Sequence, residues 1–356
     1  MPQIKTAIIA VTLIMTFLSC ADNTQISFFC EKDKKDNYII KWEIFPDYRS
    51  EHAKIEIFSS DNDSVFPKTP AFTTPANEYI TVVPPTGDVF REFFRLKLDK
   101  SYSGIISNRL FRLTNVENFR DLGGYLTKDN KQVRWGKIYR SGSFSNPAAG
   151  DTSLLSELKI KTVIDLRRVK QVEQKPDILP RNINYINLPI DVNYFNTDIK
   201  EKILEGHFLK GDAIIYTQDC YRKIIEEHTE EYARLFNILL EEDNYPVLIH
   251  CGWGKDRTGL AAYFILNALG IPSSSIEYDF LYSNRGINRS KAFQNANDMP
   301  ESIQEAVTML ITADISLLRY AASCIKKKNG SIEEYMTKEL KLTPQKRERL
   351  KEILLY

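Results

Sequence analysis

Apolar and polar positions alternate with period two along residues 26–113. Ile40, Trp42 and Ile44 alternate with Lys41 and Glu43, Ile55 and Ile57 with Lys54 and Glu56, and Phe94, Leu96 and Leu98 with Arg95 and Lys97. Successive side chains of a strand point to opposite faces, so each run predicts a half-buried strand. Prolines 67, 70, 75, 84 and 85 punctuate these runs. Short strands separated by turn signals, with no helix-period segment, predict an all-β sandwich. From Asn115 the texture changes. Thr162–Leu166, Tyr185–Pro189 and Pro246–His250 read as buried strands, and Thr258–Leu269 is apolar nearly all round. That composition predicts a central helix, which Gly270 and Pro272 stop. After Met299 the chain reads as helical to its end, with a capping box at Ser331–Glu334 and a cap plus first-turn proline at Thr343-Pro344. Strands alternating with helices imply an α/β layered domain. The expected chain is therefore multidomain: a β-sandwich over 21–113, then an α/β domain over 114–356 with extra C-terminal helices.

The first twenty residues change this picture. Lys5 precedes a nearly continuous apolar run from Ala7 to Leu18, closed by Ser19-Cys20. The run suits a signal-peptide core better than a membrane-spanning helix. A small residue before a cysteine resembles a bacterial lipoprotein processing site, which makes Cys20 the expected lipidation site. The body is then exported and membrane-anchored through that lipid alone. Net charge is +1 with pI near 7.6, so bulk electrostatics give no case for nucleic-acid binding. No His/Cys spacing suits a metal, and no metal or cofactor is expected. With Cys20 lipidated and Cys251 reserved for chemistry, Cys30, Cys220 and Cys324 are expected as buried free thiols.

Candidate chemistry concentrates in Val247-Leu-Ile-His250-Cys251-Gly-Trp-Gly-Lys255-Asp256-Arg257-Thr258-Gly259. An apolar strand ends at His250-Cys251, crosses a short loop and re-emerges as a helix. Such a loop presents backbone N–H groups and the positive end of a helix dipole to an anion. Gly252 and Gly254 are expected to supply the unusual φ values and close approach that a phosphate cradle needs. A cysteine there ionises easily, and Arg257 offers a planar fork for two phosphate oxygens. The expected phosphate-binding set is Gly252, Trp253, Gly254, Lys255, Arg257 and Thr258. Thr258 can also donate its hydroxyl to the sulfur, and His250 is expected to orient the loop.

These residues carry the Cys-x5-Arg signature, and the chain resembles the protein tyrosine phosphatase superfamily. Asn118–Gly124, Tyr139–Gly142, Val163–Arg167 and Leu281–Asn284 further resemble landmarks of the bacterial tyrosine/serine phosphatases of the secreted mycobacterial PtpB type. The resemblance implies hydrolysis of phosphate monoesters through a phosphocysteine on Cys251, with a phosphorylated protein, phosphoinositide or inositol phosphate as substrate. It implies a general acid at Asp256; Asp191, placed like the acid of dual-specificity phosphatases, is the alternative. It also implies that Lys255 meets a second substrate phosphate and that residues 192–231, longer than an ordinary connection, form a helical lid. Trp253 departs from the pattern, which usually has a small residue there. Asp165 and Arg167 are expected to pair beneath the loop. The N-terminal module looks like a fibronectin-III or immunoglobulin-type sandwich. The reading from another class is a catalytically silent phosphate-binding or adhesion lipoprotein.

Overall fold

The structure, a computed structural model, describes residues 25–45, 52–86, 90–192, 197–288 and 299–356. The expected signal segment and Cys20 lie outside the described residues. The chain divides into two units, Met1–Asn108 and Arg109–Tyr356.

In the first unit, β1 (Gln25–Lys32), β2 (Tyr38–Phe45) and β5 (Ile80–Val83) form an antiparallel sheet in the order β1-β2-β5. The second antiparallel sheet is β4 (Phe72–Pro75), β3 (Lys54–Ser60), β6 (Phe93–Leu98) and β7 (Ser101–Tyr102). The alternating positions behave as their period demands: Ile40, Trp42, Ile55, Ile57, Phe94 and Leu96 are all buried. Both sheets feed one apolar cluster. Trp42 keeps its indole satisfied there by donating Nε1–H to Ala76 O at 2.7 Å.

The second unit is built on a five-stranded sheet. Its members are β8 (Arg120–Asp121), β9 (Ile138–Ser141), β10 (Thr162–Asp165), β11 (Asn184–Asn187) and β12 (Val247–His250). The order is β11-β10-β12-β9-β8, with β8 antiparallel and the rest parallel. The last strand in sequence thus enters the middle, between β10 and β9. Register places Asp165, His250 and Ser141 side by side at the carboxyl ends. In open α/β sheets, ligand sites form beyond those ends. β9, β10 and β12 are buried along their whole length, as parallel strands covered on both faces are. β11 corrects the sequence expectation: it is the sheet edge and only half-buried, with Tyr185 38% exposed.

Helices surround this sheet. α1 (Ala149–Glu157) and α2 (Val169–Gln174) precede β11. α3 (Thr197–Leu204), α4 (Lys210–Glu227) and α5 (Thr229–Leu239) fill the long connection to β12. α6 (Arg257–Ala268) is buried almost all round, as its composition requires, and α7 (Ser273–Gly286) follows. α4 packs on the later helices Glu301–Ile311 and Ile315–Asn329. Its Ala213, Thr217, Cys220, Tyr221, Ile224 and Ile225 are buried. Both C-terminal caps form: Ser331 Oγ accepts from Glu334 N, and Thr343 Oγ1 from Lys346 N. No single described helix is long and apolar enough to cross a membrane.

Candidate active site

Cys251 follows β12 directly and is buried at the foot of the loop that opens α6. The loop is held through its carbonyls. Arg140 Nη2 donates to Gly254 O at 2.7 Å and Lys255 O at 3.3 Å, and Asn118 Nδ2 donates to Gly254 O at 2.9 Å and Trp253 O at 3.3 Å. In a planar trans peptide the N–H points opposite to the C=O. The amides of residues 254–256 therefore face away from these donors, as an anion cradle requires. Gly254 is essential to the path: its φ is +65°, and a Cβ there would lie 2.2 Å from Ser141 O. Gly252 corrects the expectation of two strained glycines. Its φ lies outside the left-handed region, and the nearest atom to a Cβ would be Arg257 Nη2 at 3.8 Å.

Arg140 and Asn118 are themselves anchored. Asp279 of α7 pairs with Arg140 Nη1 at 2.6 Å and Arg120 Nε at 3.1 Å, all three buried. Tyr125 Oη donates to the same carboxylate, and Arg120 donates to Asn118 Oδ1 and to Ser283 Oγ. Burial opposes ionisation of Asp279, but Arg120 and Arg140 outweigh it and hold its carboxyl at about 2. Burial and the neighbouring Arg120 draw Arg140 down to about 10, against the pull of Asp279. A buried charge left unpaired is strongly destabilising, so these groups fix one another and the loop together.

Beneath the cysteine lies a second buried network. Arg167 Nη2 is 2.7 Å from Asp165 Oδ2 and 2.8 Å from Asp177 Oδ2, which gives the expected Asp165–Arg167 pair a third member. His250 Nε2 stands 3.0 Å from Asp177 Oδ2, and its Nδ1 3.3 Å from Cys251 O. Burial lowers the imidazole's pKa, but Asp165 and Asp177 reverse this and leave it raised. Asp165, Asp177 and His250 are donors of a metal-binding kind. Arg167 already places its guanidinium between the two carboxylates, so the cluster is charge-balanced by the protein itself.

The thiol is tuned from above. Burial alone raises a thiol: Cys220 is pushed up to about 12, and Cys30 is also raised. Cys251 is equally buried, yet the Arg257 charge and the Thr258 hydroxyl and N–H turn the balance and lower its pKa. Arg257 Nη1 is steadied by Leu166 O at 3.2 Å and Gln171 Oε1 at 3.1 Å. Its buried Nε makes no hydrogen bond among the described residues.

Asp256 lines the pocket above Cys251 and accepts a hydrogen bond from Tyr221 Oη of α4 at 2.8 Å. Asp191 is not brought there: its side chain is 76% exposed, with Oδ1 3.8 Å from Arg168 Nη1. Lys255 also departs from expectation. Its buried ammonium donates to Leu310 O at 2.6 Å and Thr312 O at 3.2 Å, the carbonyl end of the Glu301–Ile311 helix. Cations there complement the helix dipole, so Lys255 ties the loop to that helix. Trp253 forms part of the wall. The pocket holds about 560 Å³, the size of a small-molecule site. Asp177, Gln171, Tyr221 and Asp279 carried no sequence signal, since each reaches the site only through tertiary folding. Cys30, Cys220 and Cys251 are free and buried; Cys324 is free but half-buried.

The chain is similar to a Cupriavidus necator protein provisionally named a tyrosine-protein phosphatase, 25% identical over 228 residues that cover 64% of this chain and 82% of that one. It is 27% identical over 200 residues to the triple specificity protein phosphatase PtpB of Mycobacterium tuberculosis, covering 51% and 71%. Among solved structures, TpbA of P. aeruginosa matches at 19% identity over 54% of this chain and 90% of its own, with a TM-score of 0.24. That superposition is too loose to carry an argument. Residues 111–356, well over half the chain, match the tyrosine phosphatase family as a whole, and the chain belongs to that family.

Proposed function

We propose that this phosphatase hydrolyses phosphotyrosine and other phosphate monoesters of proteins in two displacements at Cys251. The thiolate Sγ attacks phosphorus as the P–O bond to the leaving group breaks, and Asp256 gives its proton to the departing oxygen. Water then attacks the phosphocysteine, its proton returns to Asp256, and the P–S bond breaks as the thiolate re-forms. Arg257 and the loop amides follow the charge on the phosphoryl oxygens through both steps. Thr258 eases departure of the sulfur. One observation carries this reading: Cys251 lies buried at the foot of the loop that opens α6, in one pocket with Asp256 and Arg257, and the Arg257 charge favours its thiolate. The relatives named as tyrosine-protein phosphatases and as a triple specificity phosphatase support the substrate class. Wild type should turn over a phosphotyrosine peptide in the presence of a chelator, and acid quenching should trap phosphate on Cys251. Turnover that survives in Cys251→Ser would end the thiolate mechanism.

The N-terminal unit is, in this reading, a fibronectin-III-like sandwich that supports the enzyme on an exported, lipid-anchored chain. The support for the anchor is the apolar run before Ser19-Cys20. Palmitate labelling should be lost in Cys20→Ala; labelling unchanged in that variant would remove the anchor.

A further inference from the structure

The buried arginines around the site are held in two different ways. Arg120 and Arg140 share the carboxylate of Asp279, and Arg167 lies between Asp165 and Asp177, each within 3.1 Å of a carboxylate oxygen. Arg257 is also buried, yet its Nη1 donates to two neutral oxygens, Leu166 O at 3.2 Å and Gln171 Oε1 at 3.1 Å. The adjacent carboxylate of Asp256 is engaged elsewhere, with Tyr221 Oη at 2.8 Å and Lys255 Nζ at 3.5 Å. The guanidinium is therefore fixed without being neutralised.

The two acceptors also set its direction. With Nη1 taken, Nε and Nη2 form the remaining edge, a pair of parallel N–H donors that matches two oxygens of a phosphate. Nε is buried and makes no hydrogen bond among the described residues, and Nη2 would lie 3.8 Å from a Cβ at Gly252, the residue after Cys251. The open edge thus borders the loop that carries the nucleophile.

Gln171 is held in turn by its place in the chain. It is the third residue of α2, and its Oε1 also accepts from the backbone N–H of Arg168 at 3.3 Å, as the side chain of a capping box does. Glutamate would cap α2 equally well, and its charge would suit the first turn. Glutamate would also accept from Arg257, but it would set a full negative charge against the guanidinium. Capping alone does not call for an amide; holding Arg257 uncompensated does.

We propose that Gln171 is a positioning residue for the phosphatase reaction: it turns the Nε–Nη2 edge of Arg257 toward the phosphoryl group and, being neutral, leaves the guanidinium charge to the thiolate and the phosphate. This rests on the phosphatase reading above and assigns that site a residue from outside the loop.

The test uses two variants of similar size. Gln171→Glu keeps the cap and the acceptor and changes only the charge, whereas Gln171→Met removes the acceptor. For each, the melting temperature, kcat/KM on p-nitrophenyl phosphate and the dissociation constant of inorganic phosphate are measured. The last comes from the protection that phosphate gives Cys251 against iodoacetamide, followed on the Cys251 peptide by mass spectrometry. Gln171→Glu should melt close to wild type but bind phosphate about ten-fold more weakly and lose about ten-fold in kcat/KM, the loss expected when one charge-assisted contact is cancelled. Gln171→Met should lose less phosphate affinity than Gln171→Glu, and its kcat/KM should fall further than its affinity, because a loosened guanidinium follows the transition state less well. Phosphate binding and kcat/KM unchanged in Gln171→Glu overturn the proposal. Losses in Gln171→Glu no larger than those in Gln171→Met also overturn it and leave Gln171 a capping residue. If Gln171→Glu melts far below wild type, Gln171→Met decides: wild-type values in both measurements overturn the clamp, and a kcat/KM that falls further than affinity supports it. The protection assay needs no turnover, so it reads the clamp even if the wild type hydrolyses nothing.

Discussion

Cys251 shows how little of a residue's behaviour is its own. Three buried thiols share one chemistry, and the one beside Arg257 and Thr258 is lowered where Cys30 and Cys220 are raised. The alkylation rate of Cys251 by iodoacetamide should therefore rise with pH to a midpoint below the ordinary thiol range of about 8.5. In Arg257→Ala that midpoint should move upward; a midpoint that stays put would mean that the arginine does not set the thiolate. Gly254 and Gly252 give a second contrast. Alanine at 254 meets Ser141 backbone at 2.2 Å in a left-handed conformation, whereas alanine at 252 meets nothing closer than 3.8 Å. Gly254→Ala should lower the melting temperature by several degrees, since left-handed strain alone costs about 1–2 kcal/mol, and Gly252→Ala should leave it nearly unchanged. Cys251, Asp256 and Arg257 were legible because a loop between strand and helix brings them together by local chain geometry. The same stretch could not reveal where Lys255 points: its partners, Leu310 and Thr312, lie more than fifty residues away.

At the scale of elements, the central strands and α6 were legible because parallel strands and central helices are apolar on every side. β8, β9 and the edge position of β11 were not, since β8 has only two residues, β9 ends in the polar Arg140 and Ser141, and an edge is defined only by its neighbours. The row of strand ends has a consequence for stability. The pKa of His250 is raised in the folded protein above an unfolded value of about 6.5. Its pairing with Asp165 and Asp177 therefore stabilises fully below about 6.5, and that contribution is lost as pH rises through the folded value. Urea unfolding of wild type and His250→Asn should show the largest gap near pH 6 and a narrowing gap toward pH 9. A gap constant over that span would show that the imidazolium charge contributes nothing. α4 makes a different contribution, for its Tyr221 donates to Asp256. Tyr221→Phe should lower kcat on alkyl phosphates by up to about ten-fold, the value of one hydrogen bond to a charged group. Activated aryl phosphates, which need less help from an acid, should suffer much less; equal losses would make the tyrosine a packing residue only.

For the whole molecule, a net charge of +1 conceals a pocket whose described lining residues carry five cations and one carboxylate. Composition averages over the surface and cannot show such a site. The period of the sequence changes near Asn115, and the chain divides into two units after Asn108. Each unit has its own apolar core: one gathers Phe28 to Ile106, and another cluster joins Phe111 and Phe119 to Tyr139, Val163 and Leu248. Every described residue lining the Cys251 pocket belongs to the second unit. A unit with its own core can fold alone, so residues 109–356 should hydrolyse p-nitrophenyl phosphate with kcat/KM within about two-fold of the full chain. The other end should not tolerate trimming. Arg134 Nε donates to Leu355 O, Tyr356 N donates to Gln132 O, and Leu350, Ile353 and Leu354 are buried. Deleting residues 350–356 removes four buried aliphatic side chains, Leu350, Ile353, Leu354 and Leu355, each worth about 2–5 kcal/mol when cut back to alanine, which is comparable to the whole stability of a domain. That truncation should abolish both the cooperative melting transition and turnover. A fragment 109–356 that melts cooperatively but turns over far less than the full chain would assign the N-terminal unit a part in catalysis.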